Sequence, residues 1–287
     1  MKWAGGKSQL LTQFEQLYPR ALHTRKITNY VEPFIGGGAV FFDLMQRFNF
    51  KSAYISDINA DLIAIYQVIQ NKVDELIGCL RNYQDNYMRL DDEKRLELFL
   101  QVREQFNQRH LGHLSSIEMA TQLIFLNKTC FNGLFRVNSK GGFNVPFGRY
   151  ANPAILQEAN LMLVSRILQN VEIKAANYDA CFDKVNDHTF VYFDPPYHPL
   201  SDTSSFTGYS VNGFGEAQQT RLKLLCDELD KRGCKILLSN SNASFIRELY
   251  NDSRYEIVEV QATRAINSVG AKRGKINELL VHNKYEL

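Results

Sequence analysis

The four residues Asp194-Pro195-Pro196-Tyr197 could hold a flat ring that carries an amino group. A carboxylate and backbone carbonyls would accept hydrogen bonds from the amine, and the aromatic ring would stack on the flat face of the ligand. Proline has no backbone N–H and fixes φ at about −65°, so consecutive prolines leave carbonyl oxygens free to accept from a ligand. The alternative is an ordinary strand that ends at prolines beside a surface Asp.

A buried strand is predicted to position this tetrapeptide. The apolar run 190–193 comes directly before Asp194, and a short apolar run between chain breakers is typical of such a strand. Ligands of open α/β sheets lie at the carboxyl ends of the strands, which is where Asp194 would stand.

A second element suggests a cofactor. A strand over 27–34 leads into a glycine turn at 36–38 and then into a helix, which is the opening of a nucleotide-binding βαβ unit. The spacing differs from G-x-G-x-x-G, so pyrophosphate binding is weakly supported. Asp57 ends the next strand nineteen residues after Gly38, and a carboxylate about 20 residues on binds ribose hydroxyls in such folds. An adenosine-type cofactor is therefore predicted, with an ordinary tight turn as the alternative.

Composition limits the class of protein. The chain has 287 residues, of which 45% are hydrophobic and 22% charged, enough for one large domain with an insertion or for two domains. It lacks an apolar run of about 18–20 residues, so a cytoplasmic protein with no membrane partner is expected. The five scattered cysteines and the pair His110 and His113 do not complete a ligand set, so no metal is expected. A monomer in solution is expected.

Helices dominate the middle of the chain. After Asn59 the helix–strand alternation stops, and helical spacing continues over 73–88, 92–108 and 116–130. We therefore expect a catalytic domain formed by residues 1–58 and 151–287, with an inserted, mostly helical target-recognition domain over 59–150.

One segment of this insertion, 128–150, has a composition typical of nucleic-acid binding. It carries four basic residues and no acidic residue, interleaved with five aromatic residues and four glycines. Basic side chains neutralise phosphates, while aromatic rings stack on bases or wedge between them. We predict a loop or hairpin that faces nucleic acid, in which Arg136 could pair with a guanine edge. The alternative is a basic hairpin whose Phe side chains pack into the core.

Two later segments are further candidates. Residues 201–215 follow the predicted catalytic strand end and could order when substrate binds. The interval 264–275 lies within a predicted terminal hairpin and holds four basic residues and no acidic one. It is a second candidate for phosphate contact, with a solvated loop as the alternative.

Taken together, the motifs resemble the Dam-type DNA adenine-N6 methyltransferases over nearly the whole chain. The resemblance rests on KWAGGK at 2–7, EPFIGGG at 32–38, SDIN at 56–59, FNGL at 131–134 with NVPFGRY at 144–150, and DPPY at 194–197. It implies an α/β fold, with a Rossmann-like S-adenosylmethionine-dependent methyltransferase sheet and a mostly helical inserted DNA-recognition domain. It also implies S-adenosyl-L-methionine as cofactor and double-stranded DNA as partner.

The resemblance implies roles for individual residues. The cofactor-binding set is Trp3, Lys7, Phe34, Gly36, Gly38, Asp57 and Asp194. In the GATC-modifying branch, the bases are read at the positions of Lys2, Leu134, Arg136, Pro146 and Tyr150. Phe131 and Asn132 fall where the family fills the gap left by the flipped adenine, and the DNA-binding set also includes Asn138, Asn144 and Arg149. Many relatives have Tyr at the position of Phe131, and a Phe can still stack.

The expected reaction is methyl transfer to adenine N6 with the catalytic set Asp194, Pro195, Pro196 and Tyr197. Asp194 and the Pro195 carbonyl would accept hydrogen bonds from the two N–H groups of the amine, while Tyr197 stacks on the flipped base. Three alternatives remain at this point. They are N4-cytosine methylation, a catalytically inactive DNA-binding relative and, more remotely, a nicotinamide oxidoreductase.

Overall fold

The computed structural model describes residue 7 and residues 9–200, 213–263 and 275–287. Within these residues, seven strands form one sheet in the order β3-β2-β1-β4-β5-β7-β6. The strands are β1 Asn29–Glu32, β2 Ser52–Asp57, β3 Val171–Ala175, β4 Thr189–Phe193, β5 Lys235–Ser241, β6 Glu256–Thr263 and β7 Lys275–His282. This sheet, together with its helices, confirms the predicted α/β, Rossmann-like fold class.

The sheet reverses its order beside β1, which places ligand-binding loops at a defined point. β1 pairs in parallel with both β2 and β4, and β4 pairs in parallel with β5. β7 lies antiparallel to both β5 and β6, which confirms the predicted terminal hairpin. Ligands of open α/β sheets bind beyond the carboxyl ends of the strands where the order reverses. The glycine turn follows β1 and Asp194 follows β4, so both motifs leave the sheet at this point.

The central strand β4 is buried along its whole length. A continuous apolar run is what a strand covered on both faces requires. Other bounds differ from the expected ones. β1 is shorter than the predicted 27–34 and ends before Pro33, because proline cannot donate to a sheet ladder. β5 includes the polar run Ser239-Asn240-Ser241, for which no strand was predicted, because this run pairs with β7.

The compact unit that contains most of the sheet comprises Lys7–Ile35, Ala39–Ile58 and Lys174–Leu287. Its described helices are α1 Leu11–Glu15, α2 Arg20–His23, α3 Ala39–Arg47, α9 Glu216–Lys231 and α10 Ser244–Leu249. On α9, the apolar side chains Leu222, Cys226 and Leu229 belong to the same buried cluster as Ile236 and Leu238 of β5. This packing fixes α9 against the strand that neighbours Asp194.

The described residues of the other compact unit are Gly36–Gly38 and Asn59–Ile173. Its helices are α4 Ala60–Asn71, α5 Val73–Arg89, α6 Asp92–Asn107, α7 Ser116–Thr129 and α8 Glu158–Leu168. Helix α7 begins at a capping box formed by Ser115 and Glu118 and packs against α4, α5 and α6. The predicted helical content of 59–150 is confirmed. This compact unit continues to Ile173. The target-recognition domain over 59–150, with its boundary and its role, stays a prediction.

None of the helices in the described part of the chain combines the length and the apolar character that a membrane span requires. The five cysteines are free thiols, and four of them are buried.

Candidate functional site

The carboxylate of Asp194 is held from two sides at the end of β4. Lys7 Nζ lies 2.9 Å from Asp194 Oδ1, and the Ser239 hydroxyl on β5 donates to the same oxygen at 2.7 Å. Among the described residues, no donor contacts Asp194 Oδ2. The Lys7 side chain is 6% exposed and the Asp194 side chain 21%, so the ion pair is largely buried while the carboxylate keeps an opening towards a ligand.

The Tyr197 ring is fixed at its hydroxyl and on one face. The hydroxyl donates to Glu278 Oε2 on β7 at 2.7 Å, and Lys7 Nζ lies 4.5 Å from the ring centroid. Burial raises the pKa of Tyr197 well above its ordinary value, and the charges of Asp194 and Glu278 add to the rise. Tyr197 therefore remains a protonated hydrogen-bond donor. Lys7 contacts two of the predicted catalytic residues.

The two proline carbonyls differ in their surroundings. The Gln219 side chain on α9 donates from Nε2 to the Pro196 carbonyl at 2.9 Å. Pro195 is a buried residue, and within the described part of the chain no group donates to its carbonyl. Of the two carbonyls, that of Pro195 is therefore the one with capacity to accept from a substrate amine.

A second acid, Glu32, is buried at the end of β1 with 2% exposure. The Tyr30 hydroxyl donates to Glu32 Oε2 at 2.5 Å. Burial raises the pKa of Glu32 well above its usual value and the charge of Asp194 adds to this, while the Tyr30 bond, the Phe41 N–H and Lys7 oppose it. The folded protein therefore favours the neutral acid at this position.

Replacing Glu32 with glutamine is expected to change how stability depends on pH. An unfolded Glu ionises at a pKa of about 4.3, whereas folded Glu32 keeps its proton to higher pH. The folded state then binds more protons over this window, so the stability of the unchanged protein falls as pH rises. Glutamine has no such proton. The melting temperature of Glu32→Gln relative to the unchanged protein should rise progressively above pH 5.

Calorimetry between pH 4.5 and 8.5 tests this expectation. A suitable control is Glu286→Gln, because the Glu286 side chain is 73% exposed. A difference between Glu32→Gln and the unchanged protein that stays constant with pH would contradict the assignment of Glu32 as a neutral acid.

The residues predicted to hold an adenosine group lie at neighbouring strand ends. Phe34 stacks on Tyr178 with centroids 5.3 Å apart and an interplanar angle of 22°, and it meets the Phe214 ring edge-on at 5.7 Å. Asp57 ends β2 and is half-buried. An aromatic surface and a strand-end carboxylate fit the base and the ribose hydroxyls of a nucleoside. The roles of Phe34 and Asp57 stay predictions.

Two residues of the glycine turn adopt a positive φ. Gly36 adopts φ +45° and Gly38 adopts φ +69°, a region that side chains disfavour. The Gly36 carbonyl accepts from the Tyr66 hydroxyl on α4 at 3.0 Å. The predicted site residues Lys2 and Trp3 lie outside the described residues, as do 201–212 and 264–274, which make up most of the two later candidate segments.

The basic and aromatic segment 128–150 is drawn together by two antiparallel bridges, Cys130 to Phe147 and Val137 to Phe143. This agrees with a hairpin-like arrangement. Phe143 is 1% exposed, so the alternative of core packing is correct for this ring, whereas Phe131 is 53% exposed and Tyr150 is 37% exposed. Two aromatic surfaces are therefore available to a partner.

Four of the predicted DNA-binding residues are brought together. The Asn132 N–H donates to the Tyr150 hydroxyl at 3.0 Å, and the Phe131 N–H donates to the Pro146 carbonyl at 2.8 Å. Asn132 adopts φ +58°, a conformation that Asn tolerates better than most residues. Nearby, a side chain at Gly148 would come within 2.7 Å of the Cys130 carbonyl oxygen, so the two ends of the segment can meet this closely only with glycine there.

Arg136 is pre-oriented by Asn144. Its Nε donates to Asn144 Oδ1 at 2.8 Å and its Nη2 to the Asn144 carbonyl at 3.0 Å. A guanidinium has five N–H donors, so three remain for a base edge. Asn138 Oδ1 accepts from the N–H groups of Lys140 and Gly142, both at 3.0 Å, and thereby closes a turn. The other two predicted residues are the half-buried Leu134 and the exposed Arg149.

Comparison with known proteins decides the class of enzyme. A family model described as D12 class N6 adenine-specific DNA methyltransferase matches residues 3–266. The chain belongs to this family. The chain is thus an adenine-specific DNA methyltransferase, as the motifs led us to expect. Membership of this family argues against the alternative of N4-cytosine methylation.

Curated relatives align over almost the entire chain. Type II methyltransferase M.MjaIII from Methanocaldococcus jannaschii is 48% identical over 285 residues, covering 99% of this chain and 98% of the relative. Type II methyltransferase M1.LlaDCHI from Lactococcus lactis is 38% identical, with 98% and 94% covered. The DNA adenine methylase of Escherichia coli is 35% identical, with 98% and 93% covered.

Sequence reasoning on this methyltransferase missed the groups that hold the tetrapeptide and His198, which are Gln219, Ser239, Asn240 and Glu278. It also missed the buried acid Glu32. One signal was visible. The polar run Ser239-Asn240-Ser241 directly continues an apolar strand, and buried polar residues at a strand end commonly bond a neighbouring loop. Gln219 and Glu278 carried no comparable local signal.

Proposed function

We propose that this enzyme transfers a methyl group from S-adenosyl-L-methionine to N6 of an adenine flipped out of double-stranded DNA, within the sequence GATC. The observation that carries the proposal is the Asp194 carboxylate. Its Oδ1 accepts from Lys7 and Ser239, and no described residue donates a hydrogen bond to its Oδ2. Beside it lie the fixed Tyr197 ring and the Pro195 carbonyl.

These groups suit an amine that is a weak nucleophile. The lone pair of the adenine amine is conjugated into the ring, so an enzyme must bind the amine more tightly as the lone pair localises on nitrogen. Asp194 Oδ2 and the Pro195 carbonyl would accept hydrogen bonds from its two N–H groups and favour the geometry in which the lone pair is localised on nitrogen. The Tyr197 ring would stack on the flipped base.

The proposal that S-adenosyl-L-methionine is the cofactor is supported by the residues at the strand ends, which fit an adenosine group. Phe34 and Asp57 provide an aromatic surface and a carboxylate, and Gly36 and Gly38 adopt the positive φ of a turn that admits a close ligand. Lys7 and Asp194 complete the set, together with Trp3. When bound, S-adenosyl-L-methionine supplies an electrophilic methyl group on a sulfonium.

The DNA partner is supported by the exposed part of segment 128–150. Flipping a base costs a few kcal/mol, and the exposed Phe131 ring beside Asn132 suits the gap that the adenine would leave. The relative from Escherichia coli is named a DNA adenine methylase. The choice of GATC rests on the positions that read bases in the GATC-modifying branch of the Dam-type enzymes. In this chain they are Lys2, Leu134, Arg136, Pro146 and Tyr150.

Mapping of modified bases tests the proposal. A mixed-sequence plasmid from a methylation-deficient host is incubated with the enzyme and S-adenosyl-L-methionine, and modified bases are located by sequencing and identified by nucleoside mass analysis. We expect N6-methyladenine at GATC and no modification without the methyl donor. Methyladenine confined to another sequence would contradict the base-reading assignments, and the absence of any methyl transfer would contradict the reaction itself.

A further inference from the structure

A buried pair of side-chain amides, Gln219 on α9 and Asn240 on β5, contacts the segment that follows Pro195. Both residues are 0% exposed. Asn240 Nδ2 donates to Gln219 Oε1 at 3.1 Å, and Gln219 Nε2 donates to the Pro196 carbonyl at 2.9 Å. The opposite end of the Asn240 amide accepts from the His198 N–H at 3.2 Å.

The same pair is extended by Ser241. Its N–H donates to Asn240 Oδ1 at 2.8 Å, and its hydroxyl donates to the His198 carbonyl at 2.6 Å. The backbone partners define which way each amide points, because a carbonyl requires a donor and an N–H requires an acceptor. We call these three residues, Gln219, Asn240 and Ser241, the amide clamp.

The clamp holds both peptide groups that flank Tyr197. The Pro196 carbonyl belongs to the peptide before Tyr197, and the His198 N–H belongs to the peptide after it. The Tyr197 backbone is thus fixed on both sides, which adds to the Glu278 bond at the far end of its side chain.

The clamp also constrains the preceding carbonyl. Only the two backbone torsions of Pro196 separate the Pro195 peptide from the clamped one, and the proline ring restricts φ to about −65°. One torsion therefore remains to orient the Pro195 carbonyl. Asp194 is held by different groups, Lys7 and Ser239, so the two expected acceptors for the amine have separate supports.

We propose that Gln219 and Asn240 are positioning residues for methyl transfer, which orient the Pro195 carbonyl and the Tyr197 ring toward the adenine amine. This inference rests on the proposed function of Asp194, Pro195 and Tyr197. Neither amide needs to touch the substrate. Their contribution lies in geometry, and a misplacement of about 1 Å at a reacting centre can lower a rate on the order of 10²-fold.

The test replaces Gln219 with methionine, which has similar length and removes the two hydrogen bonds of the Gln219 side chain. The single-turnover rate of methyl transfer, at saturating S-adenosyl-L-methionine and GATC duplex, should fall by about 10- to 100-fold. Rates are normalised to the DNA-binding-competent enzyme. Affinities for both substrates should stay close to those of the unchanged enzyme. Ser241→Ala, which removes only the bond to His198, should give a smaller loss in the same rate.

Asn283→Leu is the matched control, because the Asn283 side-chain amide makes similar hydrogen bonds at the other end of β5, away from the amide clamp. It accepts from the Ile236 N–H at 2.8 Å and donates to the Cys234 carbonyl at 2.9 Å. This variant should lose thermal stability and keep the normalised transfer rate. If Gln219→Met and Ser241→Ala also lose only stability, the amides are structural and the inference is wrong.

The proposed function fails in a different way. If Asp194→Ala still transfers methyl groups at the normal rate, the site assignment itself is wrong. If Asp194→Ala is inactive while Gln219→Met and Ser241→Ala transfer normally, the site assignment stands and the inference about the clamp is overturned.

Discussion

Replacement of Asp194 by alanine is expected to lower the rate of methyl transfer by roughly 10²- to 10³-fold, while DNA affinity changes little. The carboxylate is the charged acceptor for the substrate amine in the proposed mechanism, and removing one such electrostatic group from a site lowers kcat on the order of 10²- to 10³-fold. DNA affinity depends mainly on phosphate and base contacts elsewhere. Tritium transfer from labelled S-adenosyl-L-methionine to duplex DNA measures the loss, and a gel-shift titration measures the affinity.

The variant also leaves the Lys7 ammonium, which is 6% exposed, without its carboxylate partner. Loss of a buried partner is destabilising, so activity must be compared per folded molecule at a temperature below the lowered melting point. The matched control is Asp187→Ala, because Asp187 precedes the opposite end of β4 and its side chain is 69% exposed. Transfer at the normal rate by folded Asp194→Ala would refute the mechanism.

Tyr197→Ala is expected to have the second-largest effect. Stacking of an aromatic side chain on a base contributes about 1–3 kcal/mol, which corresponds to roughly 5- to 150-fold in the binding of the flipped adenine. Tyr197→Phe keeps the ring and loses only the hydrogen bond to Glu278, so its transfer rate should fall far less. Comparison of the two variants separates the contribution of the Tyr197 ring to methyl transfer from that of its hydroxyl.

Single-turnover rates measure the loss of transfer, and the fluorescence of 2-aminopurine at the target position reports whether the base still enters the site. We expect Tyr197→Ala to lose both signals relative to Tyr197→Phe. Equal transfer by the alanine and phenylalanine variants would show that Tyr197 does not stack on the substrate.

Lys7 joins the two residues that these experiments address. Its ammonium contacts the Asp194 carboxylate and lies over the Tyr197 ring, so a change at either residue alters the environment of the other. We therefore expect the effects of Asp194→Ala and Tyr197→Ala to be non-additive, as is usual for residues that share a partner.

Local pattern was sufficient to predict most elements of the fold. The apolar run before Asp194 and the helical spacing over 59–150 gave elements that the structure confirms, because burial on one helix face or on both strand faces leaves a local signature. Bounds were less accurate. β5 extends through Ser239-Asn240-Ser241 because β7 supplies hydrogen bonds to it, and the polar side chains of that run do not indicate a strand.

The sequence by itself determined the order of the elements, the motif at the end of β4 and the family, because these depend on residues that are adjacent along the chain. Only the tertiary structure decided which groups hold that motif. Ser239 reaches Asp194 from 45 positions away and Glu278 reaches Tyr197 from 81. It also decided that Phe143 is buried while Phe131 is exposed. Such contacts join residues that are close in the folded chain and distant along the sequence, so the hydrophobic periodicity of a single segment does not reveal them. The Asp194-Pro195-Pro196-Tyr197 motif supplies the expected acceptors and ring, and the folded chain fixes their orientation.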